Sequence, residues 1–227
     1  MHKLQNESFA AQANVFCEDA PVYTAAFMTV LQKVNNKEAT KYTLTTLDEL
    51  CKENSEIAKL LKALAGSDKD PVDVVSQLLS REDEIIVARA CLVLVHCFNA
   101  GLPASEGTTR KLMDYVRVEL QREGKHKPFV YLSIMALLQG LLRAHERRLA
   151  FIDAKGLDML LTLIRDGKNQ SNTQVSDSSL CGTHTYLHSY MYIRACLIYE
   201  RLVQDPASQS RFDLVKSNQH RAPLREG

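Results

Sequence analysis

One pattern recurs along this chain and limits its fold more than any other feature: a short amphipathic helix, a polar break, then a longer apolar helix. It runs through 29–51 (TVLQKVNNKEATKYTLTTLDELC), 76–98 (SQLLSREDEIIVARACLVLVHCF) and 117–142 (RVELQREGKHKPFVYLSIMALLQGLL). A fourth copy starts at 156–168 (GLDMLLTLIRDGK). Aligned on Leu31, Leu79, Leu120 and Leu163, the copies are spaced by 48, 41 and 43 residues. One such unit cannot bury its apolar face alone, so the units have to stack on one another to build a core.

A period of about 40–47 residues is that of HEAT and armadillo repeats. The expected fold is therefore all-α, a right-handed α-solenoid of armadillo/HEAT-like repeats. The middle copy carries the clearest version, with Val74, Val75, Leu78, Leu79 and Ser80 followed by Ala88, Ala90, Leu92 and Leu94. Nine Gly and six Pro in 227 residues fall well short of the usual ~12%. Few turn-formers over such a length argue against an all-β sandwich or barrel.

Apolar spacing of three and four residues predicts helices over 21–34, 39–51, 71–79, 83–99, about 108–122, 128–144 and 156–166. Pro71 after Asp70 opens the third, at a position helices favour. The segment 83–99 is apolar nearly all round and is expected to be enclosed on several sides. Gly66, Gly101, Gly124 and Gly167 each follow an apolar-periodic stretch, where C-capping glycines belong. Gly140 sits inside a helix, which a close-packed neighbour would explain. The chain then divides into a lead-in (1–19), a repeat domain (20–168), a polar linker (169–185), a capping helix (186–203) and a disordered tail (204–227). In the capping helix Leu187, Tyr190, Met191, Arg194, Leu197, Ile198 and Leu202 are expected on one side. The tail holds only six residues of the Ala, Val, Ile, Leu, Met and Phe type, too few for a core.

Lys plus Arg number 28 against 27 Asp plus Glu. With no run of more than two adjacent cations, no nucleic-acid partner is expected. The six Cys are scattered through a chain too long to need staples, which points to a reducing compartment. The N-terminus lacks the apolar stretch of a signal peptide. The most apolar window, 129–142, is well short of the ~20 residues a transmembrane helix needs.

Four clusters have chemistry-bearing residues, and each has a plainer structural reading. Cys181, His184 and His188 are metal-ligand types with two His at i,i+4, but Thr185 stands where a zinc protease motif needs Glu. His96 and Cys97 are adjacent, so on a helix they point about 100° apart and form no thiolate–imidazole pair. Glu82, Asp83 and Glu84 precede a helix, where acids complement its dipole. Arg143, His145, Arg147 and Arg148, with Glu146 among them, form the densest basic spot, read as a solvated inter-helix turn. No phosphate-binding glycine loop, GxSxG or CxxC motif is present, so no metal site, cofactor or catalytic residue is expected.

Residues 39–66 (ATKYTLTTLDELCKENSEIAKLLKALAG), and more specifically 143–164 (RAHERRLAFIDAKGLDMLLTLI), resemble the N-terminal domain of the H subunit family of the vacuolar-type proton ATPase (V-ATPase). The most specific part runs from Glu146 to Leu157, a repeat-opening segment in which Glu146, Arg147, Phe151, Asp153, Ala154, Gly156 and Leu157 follow the family pattern. The likeness covers about residues 20–168. The chain departs from the family in a shortened lead-in, in lacking the aromatic-rich helix after 168, and in lacking a second helical domain. The resemblance implies a non-catalytic regulatory subunit that docks on the pump's peripheral-stalk heterodimer and supports ATP-driven proton transport. It implies no cofactor, and a place in the cytoplasm on the cytosolic face of vacuolar or endosomal membranes. In the family the second domain helps silence the detached ATPase sector, so a chain with only the first would keep docking and lose silencing. A different reading is a generic armadillo/HEAT adaptor for a peptide or helix, although zero Trp counts against the nuclear-import kind. A third is an enzyme built on Cys181, His184 and His188.

Overall fold

A computed structural model of the chain describes residues 8–122, 127–173 and 195–204. The regular structure among these residues is helical, without strands. The helices are α1 (Phe9–Glu18), α2 (Ala20–Lys33), α3 (Lys37–Glu53), α4 (Glu56–Leu60), α5 (Pro71–Gln77), α6 (Glu84–Asn99), α7 (Glu106–Leu120), α8 (Pro128–Leu141), α9 (His145–Asp153) and α10 (Gly156–Thr173). Residues 195–204 are also helical. One-turn 3₁₀ segments extend α4 (Leu61–Leu64) and α5 (Leu78–Ser80). The chain forms two compact units, Met1–Arg143 and Ala144–Gly227.

In the first unit α2, α5 and α7 are the first members of three helix pairs, and α3, α6 and α8 the second members. First members pack on first members (α2 on α5, α5 on α7), and second on second (α3 on α6, α6 on α8). The contacts that join neighbouring second members are spaced like the sequence repeat. Asp48 meets Arg89 and His96, offsets of 41 and 48 residues, and Glu84 meets the backbone N–H of Lys127 at an offset of 43. Stacked, parallel second helices follow from this match between the sequence period and the spatial one.

Helix α6 is the centre of this unit. Its apolar side chains point in all directions, and Ile86, Val87, Ala90, Cys91, Val93, Leu94, Cys97 and Phe98 are buried. It packs against α3, α5 and α8. Its start is fixed by Asp83, whose carboxylate accepts from the N–H groups of Ile85 and Ile86. Its end is fixed by Gly101, at φ +76°. The Gly101 N–H donates to the carbonyl of Phe98 and that of Leu102 to Cys97, a Schellman closure with Leu102 buried beneath it. Asp70 caps α5 ahead of Pro71, accepting from the N–H groups of Val72 and Asp73.

Three helices go beyond what the apolar spacing predicts. Within the lead-in, α1 is capped by Ser8 and buries Phe16, whose ring lies 5.7 Å from those of Tyr23 and Phe27. Helices α4 and α9 are of five and nine residues, too short for a clear period. In the second unit α10 runs on to Thr173, so Gly167 stands inside it and not at a cap. Leu157, Met159 and Leu160 of that helix are buried, and Leu163 is half-buried. In 195–204, Ala195, Ile198 and Leu202 form a buried stripe, whereas Leu197 is 51% exposed and does not share it. Gly124 and 186–194 lie outside the described residues.

The neighbour expected at Gly140 is α6. A Cβ on Gly140 would lie 3.5 Å from the Cα of Val95 and 3.7 Å from the Cβ of Phe98, close but ordinary contact. There is room for one methyl group. Gly140→Ala is therefore expected to stabilise the chain by about 1 kcal/mol, read as a higher melting temperature. A lower one would mean that α6 and α8 pack more tightly than this.

Candidate functional site

The most heavily charged site in the core is one that the sequence does not announce. It lies where α3 faces α6. Asp48, fully buried on α3, accepts from Lys52 (2.9 Å) and from the Arg89 guanidinium through Oδ2. Its Oδ1 lies 3.0 Å from Nε2 of His96. A carboxylate only accepts, so that nitrogen carries the proton. Glu49 takes the same two cations, Lys52 at 3.0 Å and Arg89 at 3.3 Å. Burial alone would raise the Asp48 pKa, but His96, Lys52 and Arg89 together hold it below the ordinary carboxylate value. Two helical turns earlier Lys41 reaches Asp83 at 2.9 Å, so a second ion pair joins α3 to the start of α6. Burial raises the Asp83 carboxyl, and Lys41 with the N–H groups of Ile86 and Ile85 outweighs it.

These groups are spent on one another. Both Asp48 oxygens have partners, Lys52 and Arg89 on Oδ2 and His96 on Oδ1. His96 turns to Asp48, away from its sequence neighbour Cys97, which is buried. Burial pushes the Cys51 thiol up to about 12, and the Cys91 and Cys97 thiols higher still, so none forms a thiolate nucleophile. Among the described residues no three His, Cys, Asp or Glu come together as a metal site. Cys181, His184 and His188 lie outside the described residues.

The acidic run 82–84 is a helix start. Asp83 caps α6, and Glu84 holds Lys127 through its Nζ at 3.3 Å and its N–H at 3.1 Å. The basic spot differs from expectation. His145, Arg147 and Arg148 open helix α9, in place of a solvated turn. His145 Nδ1 lies 3.5 Å from Nη2 of Arg148, and burial lowers the Arg147 pKa.

The segment from Glu146 to Leu157 is the hinge of α9 into α10. Glu146 lies in the first turn of α9, Arg147 is half-buried, and Phe151 is buried at 2% exposure. Asp153 closes α9 and Ala154 follows, with Lys155 in the left-handed region at φ +60°. Gly156 and Leu157 then begin α10, both buried. A Cβ on Gly156 would fall 2.4–2.5 Å from three atoms of the Phe151 ring. The ring lies directly on the glycine, so no larger residue fits at 156 while Phe151 keeps this position.

The sequence has relatives among known proteins. The family model for the N-terminal part of the V-ATPase H subunit matches residues 1–180. A probable H subunit of the V-type proton ATPase from Oryza sativa subsp. japonica is 24% identical over 72% of this chain. That alignment covers 40% of the relative, so the chain spans about two-fifths of its length. No solved structure matches significantly.

The Asp48 site makes a definite stability prediction. The folded carboxyl has a lowered pKa, so its stabilisation is present at neutral pH and fades as pH falls below about 4. Asp48→Asn is expected to cost about 2 kcal/mol at pH 7 and to flatten the loss of stability in acid. Urea melts at pH 7 and at pH 3 check this; equal stability of both proteins at pH 7 would contradict it.

Proposed function

The chain belongs to the V-ATPase H subunit family, and from that premise we propose that it is a non-catalytic regulatory or structural subunit of a vacuolar-type proton pump. It docks on the peripheral-stalk heterodimer and supports ATP-driven proton transport. The observation that carries this reading is the match of the family's N-terminal model to residues 1–180. The name of the rice relative points the same way. Its place is the cytosolic face of vacuolar or endosomal membranes, held there through the complex. No helix among the described residues is long and apolar enough to cross a membrane.

The mechanism is binding by a rigid surface. Helix pairs stacked at the repeat period favour a right-handed armadillo/HEAT arrangement, with the repeat domain at 20–168 as the docking part. Ion pairs between α3 and α6 fix the register of neighbouring pairs, which keeps a long surface in one shape. The segment Glu146, Arg147, Phe151, Asp153, Ala154, Gly156 and Leu157 opens a further repeat, its Phe151–Gly156 contact setting the angle of α9 to α10. An interface of roughly 1,600 Å² is normal for such a role.

Calorimetry with the purified chain and the peripheral-stalk heterodimer tests this directly. The expected result is a dissociation constant of about 1 μM or tighter, near −8 kcal/mol. A folded, monomeric sample that does not bind would contradict the proposal.

A further inference from the structure

The middle pair of the first unit has a short first helix. Helix α5 and its 3₁₀ turn take seven and three residues, against 14 in α2 and 15 in α7. A shorter element between two longer ones leaves a trough. Four cavities, of between about 210 and 560 Å³, lie along it. Ser80 lines all four and Arg81 three of them, so the turn from α5 into α6 is common to the group.

The charges lining the trough are unequally neutralised. Its carboxylates already have partners inside the chain. Asp83 holds Lys41, Glu84 holds Lys127, Glu119 holds Arg122 at 2.9 Å, and Asp73 accepts from the Thr108 hydroxyl. Glu82 and Asp73 have no cation beside them among the described residues. The cations are the reverse. Exposed Lys37 and Lys111 have no acidic partner among the described residues, and Arg81 donates only to the neutral side chain of Asn35, at 3.4 Å.

We propose that this trough is a docking surface for an acidic peptide segment of a partner protein, with Lys37, Arg81 and Lys111 taking its carboxylates. An Arg in the middle offers bidentate geometry to one carboxylate, and the two lysines act as point charges to either side. The surface goes beyond the stalk reading, since it does not require the stalk to supply the segment.

Fluorescence anisotropy of a labelled peptide of about ten residues of Glu and Ala, titrated with the full chain, tests the inference. Binding is expected to weaken steeply as salt is raised from about 0.02 to 0.15 M. It is also expected to fall at least tenfold in the triple variant Lys37→Glu, Arg81→Glu, Lys111→Glu. Glu82→Gln, which leaves every cation in place, is expected to tighten it. Three results would overturn the inference: equal binding of the same peptide with Gln for Glu, unchanged binding by a triple variant of wild-type melting temperature, or pelleting with phosphatidylserine vesicles without peptide binding. If the triple variant fails to fold, Arg81→Gln alone decides, with a several-fold loss expected and no loss overturning it.

Discussion

Helix α6 carries apolar side chains on every side, so water has to be excluded from it in several directions at once. Neither α3 nor α8 could do this alone. Each covers one flank, and α5 covers a third. Burying one Leu- or Phe-sized side chain is worth about 1.5–3 kcal/mol, and α6 buries Ile86, Val87, Val93, Leu94 and Phe98 along with smaller residues. The rest of the first unit is arranged around that requirement. It explains why a single repeat would not be stable and why neighbouring pairs stack in parallel.

Apolar burial does not by itself choose a register, because one Leu packs much like another one turn away. The polar contacts do. Asp48 is satisfied only if Arg89 and His96 both sit opposite it, and Lys41 meets Asp83 in the same register. A slip of α6 by one turn would take Arg89 and His96 from a buried carboxylate and leave it with Lys52 alone, a destabilising loss. Between α6 and α8 the tie is smaller, Glu84 with Lys127, and close packing at Gly140 adds to it.

Much of this fold is legible in the sequence, because stacked repeats convert a distance along the chain into a contact in space. Leu31, Leu79 and Leu120 each lie near the end of a first helix and are buried, as their alignment requires. The caps at Asp70, Asp83 and Gly101 are legible for local reasons. Helices α1, α4 and α9 are not, since short elements depend on what they pack against more than on their own period. The Asp48 site is hidden for a related reason. In the sequence Asp48 looks like any polar residue on an amphipathic helix, and its partners lie 41 and 48 residues away. Reading it requires comparing charges one repeat apart. The Phe151–Gly156 contact is visible only as a family-like spacing, and the structure supplies its cause.

The ionisable groups between α3 and α6 are paired across the two helices, and burial keeps the Cys51, Cys91 and Cys97 thiols protonated. On the proposed reading, the surface of the stacked helices belongs on the stalk of a proton pump. The most direct measurement is electron cryomicroscopy of V-ATPase depleted of its own H subunit and incubated with this chain. The expected result is added helical density against the peripheral stalk, into which α3, α6 and α8 fit as parallel neighbours. Particles that stay bare at saturating chain concentration, or density placed on the membrane sector alone, would contradict it.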